Sequence, residues 1–287
     1  MSKMKLLLKR ILFVFAAIIL TIALLLGYAY FIEPRQFVIT RKTISVENWA
    51  SQINDFKIVA ISDVHGGSHY MDDARIKFVV EQANAQDADI IVLLGDFVSQ
   101  IGGKSGALRM PMPVIADNLQ GLKARYGVYA VIGNHDWWHD EREVRRELER
   151  VGYKVLENEA VSFDKNGQII TVVGIEDFWK RRRVDIEKTL SDINPRRNIV
   201  AITHNPDSFD QLPDGISILI AGHTHGGQVW LPVIGEPVIV AKREYQRGHI
   251  TKDGKDLFVT TGFATTFPFI RFGVPPEIAV VNLTAEN

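Results

Sequence analysis

Five short apolar segments of this chain are each followed directly by residues of the types that bind metal ions. Each segment is long enough for one buried strand, and the polar side chains lie where that strand ends. Ligands of α/β proteins bind at the carboxyl ends of the strands, so the repetition predicts one site at which the five motifs meet. The segments and motifs are 58–61 with Asp63-Val64-His65, 90–94 with Gly95-Asp96, 128–133 with Asn134-His135-Asp136, 199–202 with His204-Asn205, and 216–221 with Gly222-His223-Thr224-His225.

The side chains of these motifs offer seven nitrogen and oxygen ligands, and the absence of cysteine excludes thiolate ligands. Such a set suits two divalent ions, with Mn²⁺ the first expectation and Fe²⁺ or Zn²⁺ the alternatives. A structural zinc ion needs only four ligands, and unpaired buried charges are costly, so a purely structural role is disfavoured. Two divalent ions can clamp the oxygens of a phosphate ester and acidify a water molecule between them. The predicted metal ligands are Asp63, His65, Asp96, Asn134, His204, His223 and His225.

Residues 11–32 carry no charge, and a helix of this length reaches roughly the 30 Å of a bilayer core. We therefore predict that residues 1–32 form a basic cytoplasmic stub and a single transmembrane anchor in a cell membrane. The basic residues Lys3, Lys5, Lys9 and Arg10 place the rest of the chain outside the cytoplasm, although Arg35, Arg41 and Lys42 weaken that bias. A cleaved secretory signal is the alternative, because Gly27-Tyr28-Ala29 resembles a cleavage site.

For the remaining chain we expect a tether with a lead-in strand at 33–55, followed by a catalytic domain at 56–287. Helical spacing of apolar residues predicts a helix beginning near Asp72, and further helices are expected at 112–124 and 140–148. Turn sequences at 164–167 and 252–255 predict two hairpins. Strands that alternate with helices, followed by strand-rich segments, indicate two packed sheets flanked by helices. The formal net charge of −1 gives no basic field, so no nucleic-acid partner is expected, and the oligomeric state is not indicated.

Taken together, the five motifs resemble those of the calcineurin-like metallophosphoesterase superfamily, in that family's order. Segments 59–67, 225–232 and 271–278 are similar to its membrane-associated bacterial branch, which has YkuE-like, YaeI-like and LpxG-like members. The resemblance implies a four-layer α/β/β/α sandwich, here preceded by a transmembrane helix. It further implies that Asp63, His65 and His225 hold one metal, that Asn134, His204 and His223 hold the other, and that Asp96 bridges them. His135 would be the catalytic residue that faces the substrate, and Asp136 would orient it.

From these residues and this resemblance we expect a membrane-anchored, dinuclear-metal phosphohydrolase that cleaves a phosphodiester or pyrophosphate bond. The substrate would be lipid-linked, such as UDP-2,3-diacylglucosamine, and a nucleotide-linked lipid would require a cytoplasmic active site. Alternatives are an extracytoplasmic phosphomonoesterase or phosphodiesterase of cell-envelope material and a non-catalytic anchored binding protein. A protein phosphatase is disfavoured, because Gly95-Asp96 runs into Phe97-Val98-Ser99-Gln100.

Several residues outside the ligand motifs are candidates for substrate contact. Arg271 could clamp a phosphate within a lipid-facing group of phenylalanines, and Trp137 could line a groove beside His135. In each case packing in the core is the competing interpretation. The basic run at 180–183 could bind anionic headgroups, although a solvated loop is the alternative. The phenylalanines are Phe263, Phe267, Phe269 and Phe272.

Overall fold

The computed structural model describes residues 3–180, 186–191, 193, 194 and 196–286. The arginines of the predicted basic run, 181–183, lie outside these residues. The helices are α1 (Lys3–Phe31), α2 (Asp73–Asn84), α3 (Met112–Leu119), α4 (Asn134–His139), α5 (Glu141–Arg150) and α6 (Ile186–Thr189). The strands are β1 (Val38–Val46), β2 (Phe56–Ile61), β3 (Ile90–Leu93), β4 (Val128–Ala130), β5 (Lys154–Val155), β6 (Glu159–Lys165), β7 (Gln168–Ile175), β8 (Ile199–Thr203), β9 (Ile218–Ala221), β10 (Gly248–Lys252), β11 (Lys255–Val259) and β12 (Glu277–Ala285).

The strands form two six-stranded sheets that face each other. The first has the order β1-β12-β2-β3-β4-β5, and the second has the order β10-β11-β9-β8-β7-β6. The strands that precede the five predicted motifs run parallel to their neighbours within each sheet, β2-β3-β4 in the first and β8-β9 in the second. Their carboxyl ends therefore meet at one edge of each sheet, where the motifs lie.

The alternation of side chains along β2 shows how the layers are held together. Ile58 and Ala60 point into the core between the two sheets, whereas Val59 and Ile61 pack with residues of α2 and α3 on the outer face. A third apolar cluster lies outside the second sheet and includes residues of α6 and of the 3₁₀ helix Pro206–Gln211. Because strands place successive side chains on opposite faces, the all-apolar strands predict burial on both sides. The four-layer α/β/β/α arrangement is confirmed.

The predicted helix near Asp72 is confirmed as α2, and the Asp72 carboxylate caps it by accepting a hydrogen bond from Arg75 N at 2.9 Å. Both predicted hairpins are also present, as β6-β7 and β10-β11. The helix predicted over 112–124 ends at Leu119, which is shorter than expected. Gln120 is already extended and Gly121 is left-handed, with φ of 102°, so the chain turns away there.

The amino-terminal segment joins the rest of the fold through a strand. Helix α1 is long enough and apolar enough to cross a membrane, judged by length and composition. A 3₁₀ turn, Glu33–Arg35, leads from it to β1, which pairs in parallel with β12 along its whole length. The lead-in segment 33–55 therefore supplies an edge strand of the first sheet.

Candidate metal centre

Five of the seven predicted ligands have left-handed backbone conformations. The φ angles are 56° for Asp63, 42° for His65, 56° for Asp96, 70° for His223 and 51° for His225. Aspartate and histidine adopt this region more readily than most residues, but each instance still costs on the order of 1 kcal/mol or more. The turn made at each strand end directs the side chains inward over the sheet edge. Strain repeated at these positions marks a functional site rather than a stabilising one.

Asp63, His65 and His225 form the first group of ligand-type side chains. The Nε2 atoms of His65 and His225 lie 3.2 Å apart. Asp63 Oδ1 lies 3.4 Å from His225 Nε2 and 3.9 Å from His65 Nε2. All three residues are buried, and their ligand atoms lie close enough together to surround one ion.

Asn134, His204 and His223 form the second group. His204 Nε2 lies 3.0 Å from Asn134 Oδ1 and 3.0 Å from His223 Nδ1. Asp96 stands between the groups, because its Oδ2 atom is 3.5 Å from His65 Nε2 and 3.4 Å from His204 Nε2. The structure thus brings all seven predicted ligands together, divided three and three about one shared carboxylate.

Backbone carbonyls determine which nitrogen of two histidines faces the centre. The Nδ1 atoms of His65 and His204 lie 3.1 Å from Val98 O and 2.7 Å from Leu94 O, respectively. A carbonyl only accepts, so Nδ1 of each ring is assigned as the donor, and Nε2 then faces the cluster. Such outer hydrogen bonds fix the orientation of metal-ligating histidines in proteins.

The charges within the cluster shift several pKa values in opposite directions. Burial lowers the pKa of His65 to about 3 and that of His225 to about 3, so both rings are neutral and able to ligate. Burial also acts against the charged form of His204, but the charge of Asp96 outweighs it and raises the pKa of His204 to about 10. The same pairing holds the pKa of Asp96 well below its usual range, although burial opposes this. Burial and the pairing of Asp96 with His204 thus act on the pKa values of these groups in opposite directions.

The donor set fits divalent cations. Asp63 Oδ1 is buried and accepts no hydrogen bond from any residue that the structure describes. Leaving such a carboxylate oxygen unpaired is costly, and a cation between Asp63 and the two facing imidazoles would relieve that cost. The centre has imidazole, carboxylate and amide donors, which suit Mn²⁺, Fe²⁺ or Zn²⁺.

His135 lies at the partly exposed side of the cluster, with its ring centroid 4.8 Å from that of His65. Its Nδ1 atom is 2.7 Å from Gln100 Oε1, and Gln100 Nε2 donates to the backbone carbonyl of His135 at 2.7 Å. Gln100 therefore holds both the ring and the backbone of His135. Sequence reasoning missed Gln100, which belongs to no motif and lies in the loop after Asp96.

Asp136 holds a loop and not the His135 ring. Its carboxylate accepts hydrogen bonds from the backbone amides of Gly133, Asp96, Phe97 and Val98, at 2.8–3.1 Å. Burial and the nearby charge of Asp96 raise the pKa of Asp136 to about 7, while the amide donors act in the opposite direction. The expectation that Asp136 orients His135 is corrected: Gln100 makes that contact, and Asp136 fixes the segment that carries Asp96.

Arg271 does not contact solvent. Its side chain is 0% exposed, and the guanidinium donates to five backbone carbonyls of the surrounding loops. This placement is a correction to the predicted substrate contact, because a substrate phosphate cannot reach a guanidinium enclosed by its own loops. The acceptors are the carbonyl oxygens of Thr261, Gly262, Ala264, Val274 and Pro275.

The other candidate contacts are divided between core and surface. Trp137 is partly buried, and its Nε1 donates to Asp177 Oδ2 at 2.8 Å, so its polar edge is already bonded. Trp179, which sequence reasoning missed, is exposed, and its ring lies edge-on to His223 with centroids 4.4 Å apart.

The basic run and the phenylalanines were the remaining candidates. Lys180 is the member of the basic run that the structure describes, and it pairs with Glu141, Glu157 and Glu176. Phe263 is in the core, whereas Phe267 is exposed.

The family model of the calcineurin-like phosphoesterases matches residues 56–227, which is 172 of the 287 residues. The chain belongs to the calcineurin-like phosphoesterase family. This match spans strands β2 to β9 and all five ligand motifs described above. It confirms the resemblance expected from the sequence, including the likeness to YkuE and YaeI that individual relatives show.

Individual relatives share between 25% and 28% of their residues with the chain in the three examples that follow. The chain is 28% identical to the uncharacterized metallophosphoesterase YkuE of Bacillus subtilis over 267 residues, 91% of this chain and 90% of that protein. It is 26% identical to the phosphodiesterase YaeI of Escherichia coli, over 90% of this chain and 92% of that protein. An uncharacterized metallophosphoesterase of Helicobacter pylori is 25% identical over 81% of this chain, which spans only 61% of that longer protein.

Proposed function

We propose that this chain is a membrane-anchored phosphohydrolase that cleaves a phosphodiester or pyrophosphate bond with two divalent ions. The observation that carries the proposal is the sharing of Asp96 between two groups of buried ligand-type side chains. We assign Asp63, His65 and His225 to one ion and the remaining group to the other. In this assignment Asp96 contributes to both sites, as a bridging carboxylate does in two-metal hydrolases. The remaining group is Asn134, His204 and His223.

When bound, the two ions, Mn²⁺ first and Fe²⁺ or Zn²⁺ as alternatives, would polarise the phosphate oxygens and acidify a water molecule. His135 then acts on the substrate side. Its Nδ1 is bonded to Gln100, so its Nε2 is the nitrogen left to protonate or stabilise a leaving oxygen. The exposed ring of Trp179 lies beside His223, and the partly buried ring of Trp138 lies beside His135. These rings could hold an apolar or aromatic part of the substrate.

We propose a lipid-linked substrate because residues 1–32 would anchor the catalytic domain, 56–287, at a bilayer. UDP-2,3-diacylglucosamine is the specific candidate, and it requires the domain to face the cytoplasm. The basic residues before α1 favour the opposite orientation, in which the enzyme would act as an extracytoplasmic phosphodiesterase on envelope material. The name of the Escherichia coli relative, a phosphodiesterase, supports diester cleavage in either orientation.

The test is a substrate comparison with the full-length chain in lipid nanodiscs. Metal is removed and Mn²⁺ is restored, and turnover is measured with an aryl phosphodiester and with UDP-2,3-diacylglucosamine. Cleavage of both supports the nucleotide-linked lipid, and cleavage of the diester alone supports the extracytoplasmic alternative. The His135→Ala variant, purified in parallel, should bind metal and lose turnover. If neither substrate is cleaved although metal is bound, the proposed hydrolase activity is wrong.

A further inference from the structure

The carboxyl end of α1 is fixed against the catalytic domain by hydrogen bonds to its backbone. Arg271 N donates to Ala29 O at 3.0 Å, and His69 Nε2 lies 3.0 Å from Tyr30 O. In the 3₁₀ turn that follows α1, Arg35 O accepts a hydrogen bond from Arg75 at 2.9 Å. Immediately after α1, the buried carboxylate of Glu33 accepts a hydrogen bond from Val274 N at 2.8 Å. The direction of α1 is therefore set relative to the domain, and with it the part of the domain that faces a membrane crossed by α1.

An apolar cleft of about 400 Å³ lies between α1 and two loops of the catalytic domain. Its walls are apolar residues of α1 from Ile22 to Ala29 on one side and Val229, Leu231, Ile270 and Phe272 on the other. At a rise of 1.5 Å per residue, Ile22 and Ala29 lie about 15 Å and about 5 Å before Ile32, where the uncharged stretch ends. The two loops thus extend along α1 to a depth that a bilayer would cover.

The same loops also expose apolar side chains. We define the apolar loop surface as residues 230–240 and 267–270. Val233 is fully exposed, Ile234 is 66% exposed and Phe267 is 83% exposed. The surface contains one charged residue, Glu236, which is mostly buried and pairs with Arg247 at 3.1 Å. Contiguous apolar exposure of this kind is unfavourable in water and marks an interaction site.

We infer that the apolar loop surface is immersed in the leaflet that contains the carboxyl-terminal half of α1, and that acyl chains of its lipids fill the cleft. The inference rests on the proposed anchoring by α1. A lipid bilayer is the occupant that fits, because the cleft is walled partly by α1 itself and is entirely apolar. Transfer of an exposed valine or phenylalanine side chain from water into hydrocarbon is favourable. The loops would thus give the domain a second membrane contact.

This contact would hold the metal centre close to the membrane surface. Only four residue steps separate His225, a predicted ligand, from Val229 in the cleft wall, and that length of chain spans at most about 14 Å. Gln228 ties this segment to the second loop, since Thr266 N donates to Gln228 Oε1 at 2.7 Å. The headgroup of a lipid whose chains occupy the cleft would therefore lie within reach of the centre.

The chain has no cysteine, which allows single-cysteine labelling of the full-length protein. Val233→Cys reports on the apolar loop surface, Leu231→Cys on the cleft, and Phe15→Cys on α1. Asp253→Cys is the matched control. It lies in the β10-β11 turn, beside Gly254, which approaches Glu47 just beyond the end of β1. The nine residues of β1 place that point roughly 25–30 Å from the start of the strand nearest α1.

Each variant is labelled with an environment-sensitive fluorophore and reconstituted in phosphatidylcholine–phosphatidylglycerol vesicles. Quenching is compared between vesicles that contain lipids with a nitroxide on the acyl chain and buffer that contains iodide. We expect the nitroxide lipids to reduce emission at least about twofold for the labels at 231, 233 and 15, and iodide to quench the label at 253.

The outcomes separate this inference from the anchoring on which it rests. If the label at 15 is quenched by lipid while those at 231 and 233 behave like the label at 253, the inference is overturned and the anchoring stands. If the label at 15 is also aqueous, the anchoring fails and the inference with it. Labels at 231 and 233 that are shielded from both quenchers would indicate a covering protein, such as a second copy of the chain, and would also overturn the inference.

Discussion

Asp96 and Asp136 hold each other's loops in place. The Asp136 carboxylate accepts a hydrogen bond from the backbone amide of Asp96 at 2.8 Å, while the Asp96 carboxylate accepts one from the amide of His135 at 2.8 Å. The loop after β3 and the start of α4 are thereby joined by side chains from both directions. The position of Asp96, the proposed shared ligand, therefore depends on Asp136, which is not among the proposed ligands.

The substitution Asp136→Asn should therefore disrupt the metal centre from outside it. The amide group would direct a donor at backbone N–H groups that now donate to a carboxylate, and each donor left unsatisfied in the interior costs about 1–3 kcal/mol. We expect lower stability by at least about 2 kcal/mol and a loss of bound metal. Metal analysis and urea unfolding of the purified variant measure both.

The matched control for this variant is Asp140→Asn. Asp140 caps α5 by accepting from Arg142 N and Glu143 N, and asparagine is an equally good capping residue. This variant should retain the metal content and stability of the original chain. Equal behaviour of the two variants would contradict the role assigned to Asp136.

Gln100 should affect turnover without affecting metal binding. Within the described chain, both hydrogen bonds of its side chain go to His135, which is not a predicted metal ligand. Gln100→Leu removes the acceptor that sets the orientation of the His135 ring. Acid–base catalysis by a side chain contributes about 10²–10⁴-fold, so we expect kcat to fall about 10-fold or more with KM and metal content unchanged. Gln100→Glu keeps the acceptor for the ring but loses the donor to the His135 carbonyl, so it should recover part of the loss. Failure of this rescue would indicate that Gln100 acts only in packing.

Gly222 leaves no space for a side chain beside a predicted ligand. A Cβ at this position would lie 1.8 Å from Ser62 Oγ and 3.0 Å from Asp63 Oδ2. Gly222→Ala should therefore displace Asp63 and reduce the metal content by more than half. Gly27→Ala is the control, since a Cβ there meets no atom of the described chain within 4 Å. Full metal content in Gly222→Ala would show that the segment shifts without moving Asp63.

The free energy of unfolding should depend on pH through Asp210, which lies in the 3₁₀ helix Pro206–Gln211. Partial burial opposes its ionisation, but hydrogen bonds from Lys242, Tyr245 and Lys252 outweigh that effect and lower the pKa of Asp210 to about 2. The folded chain then binds fewer protons than the unfolded chain between pH 3.8 and about 2. Its charge therefore stabilises the fold above this range, and the stabilisation is lost as pH falls through it.

We expect Asp210→Asn to lower the urea midpoint at neutral pH, and the difference from the original chain to narrow as pH falls from about 4 to about 2. Asp214→Asn is the control, because the Asp214 side chain is fully exposed in its ion pair with Lys255. A difference between Asp210→Asn and the original chain that stays constant with pH would contradict the shifted pKa of Asp210.

The convergence of the proposed ligands could be predicted from the sequence because each follows an apolar strand, and the strand pattern is local. Asp63 and His225 are 162 residues apart, yet both could be placed at the same edge from the strands before them. The left-handed conformations of the ligands were not predicted, since they arise from contacts between loops. Gly262, for example, leaves no room for a Cβ against Asp63.

Arg271 shows why the substrate contacts were harder to predict. An arginine among phenylalanines is compatible with a phosphate clamp and with a buried structural role. The choice depends on whether carbonyl groups converge on the guanidinium, and here they come from residues 261–275 after the loops fold together. The same reasoning applies to Gln100, whose contact with His135 joins loops from different strands. Periodicity and spacing carry no information on such contacts.

The most direct test of the two-metal account is the metal stoichiometry and metal dependence of the full-length chain in detergent. The chain is stripped of metal, titrated with Mn²⁺ and assayed with an aryl phosphodiester at each step. We expect two ions per chain at saturation and turnover that rises with occupancy of the second site. Saturation at a single ion, or turnover that persists in the metal-free chain, would contradict the account.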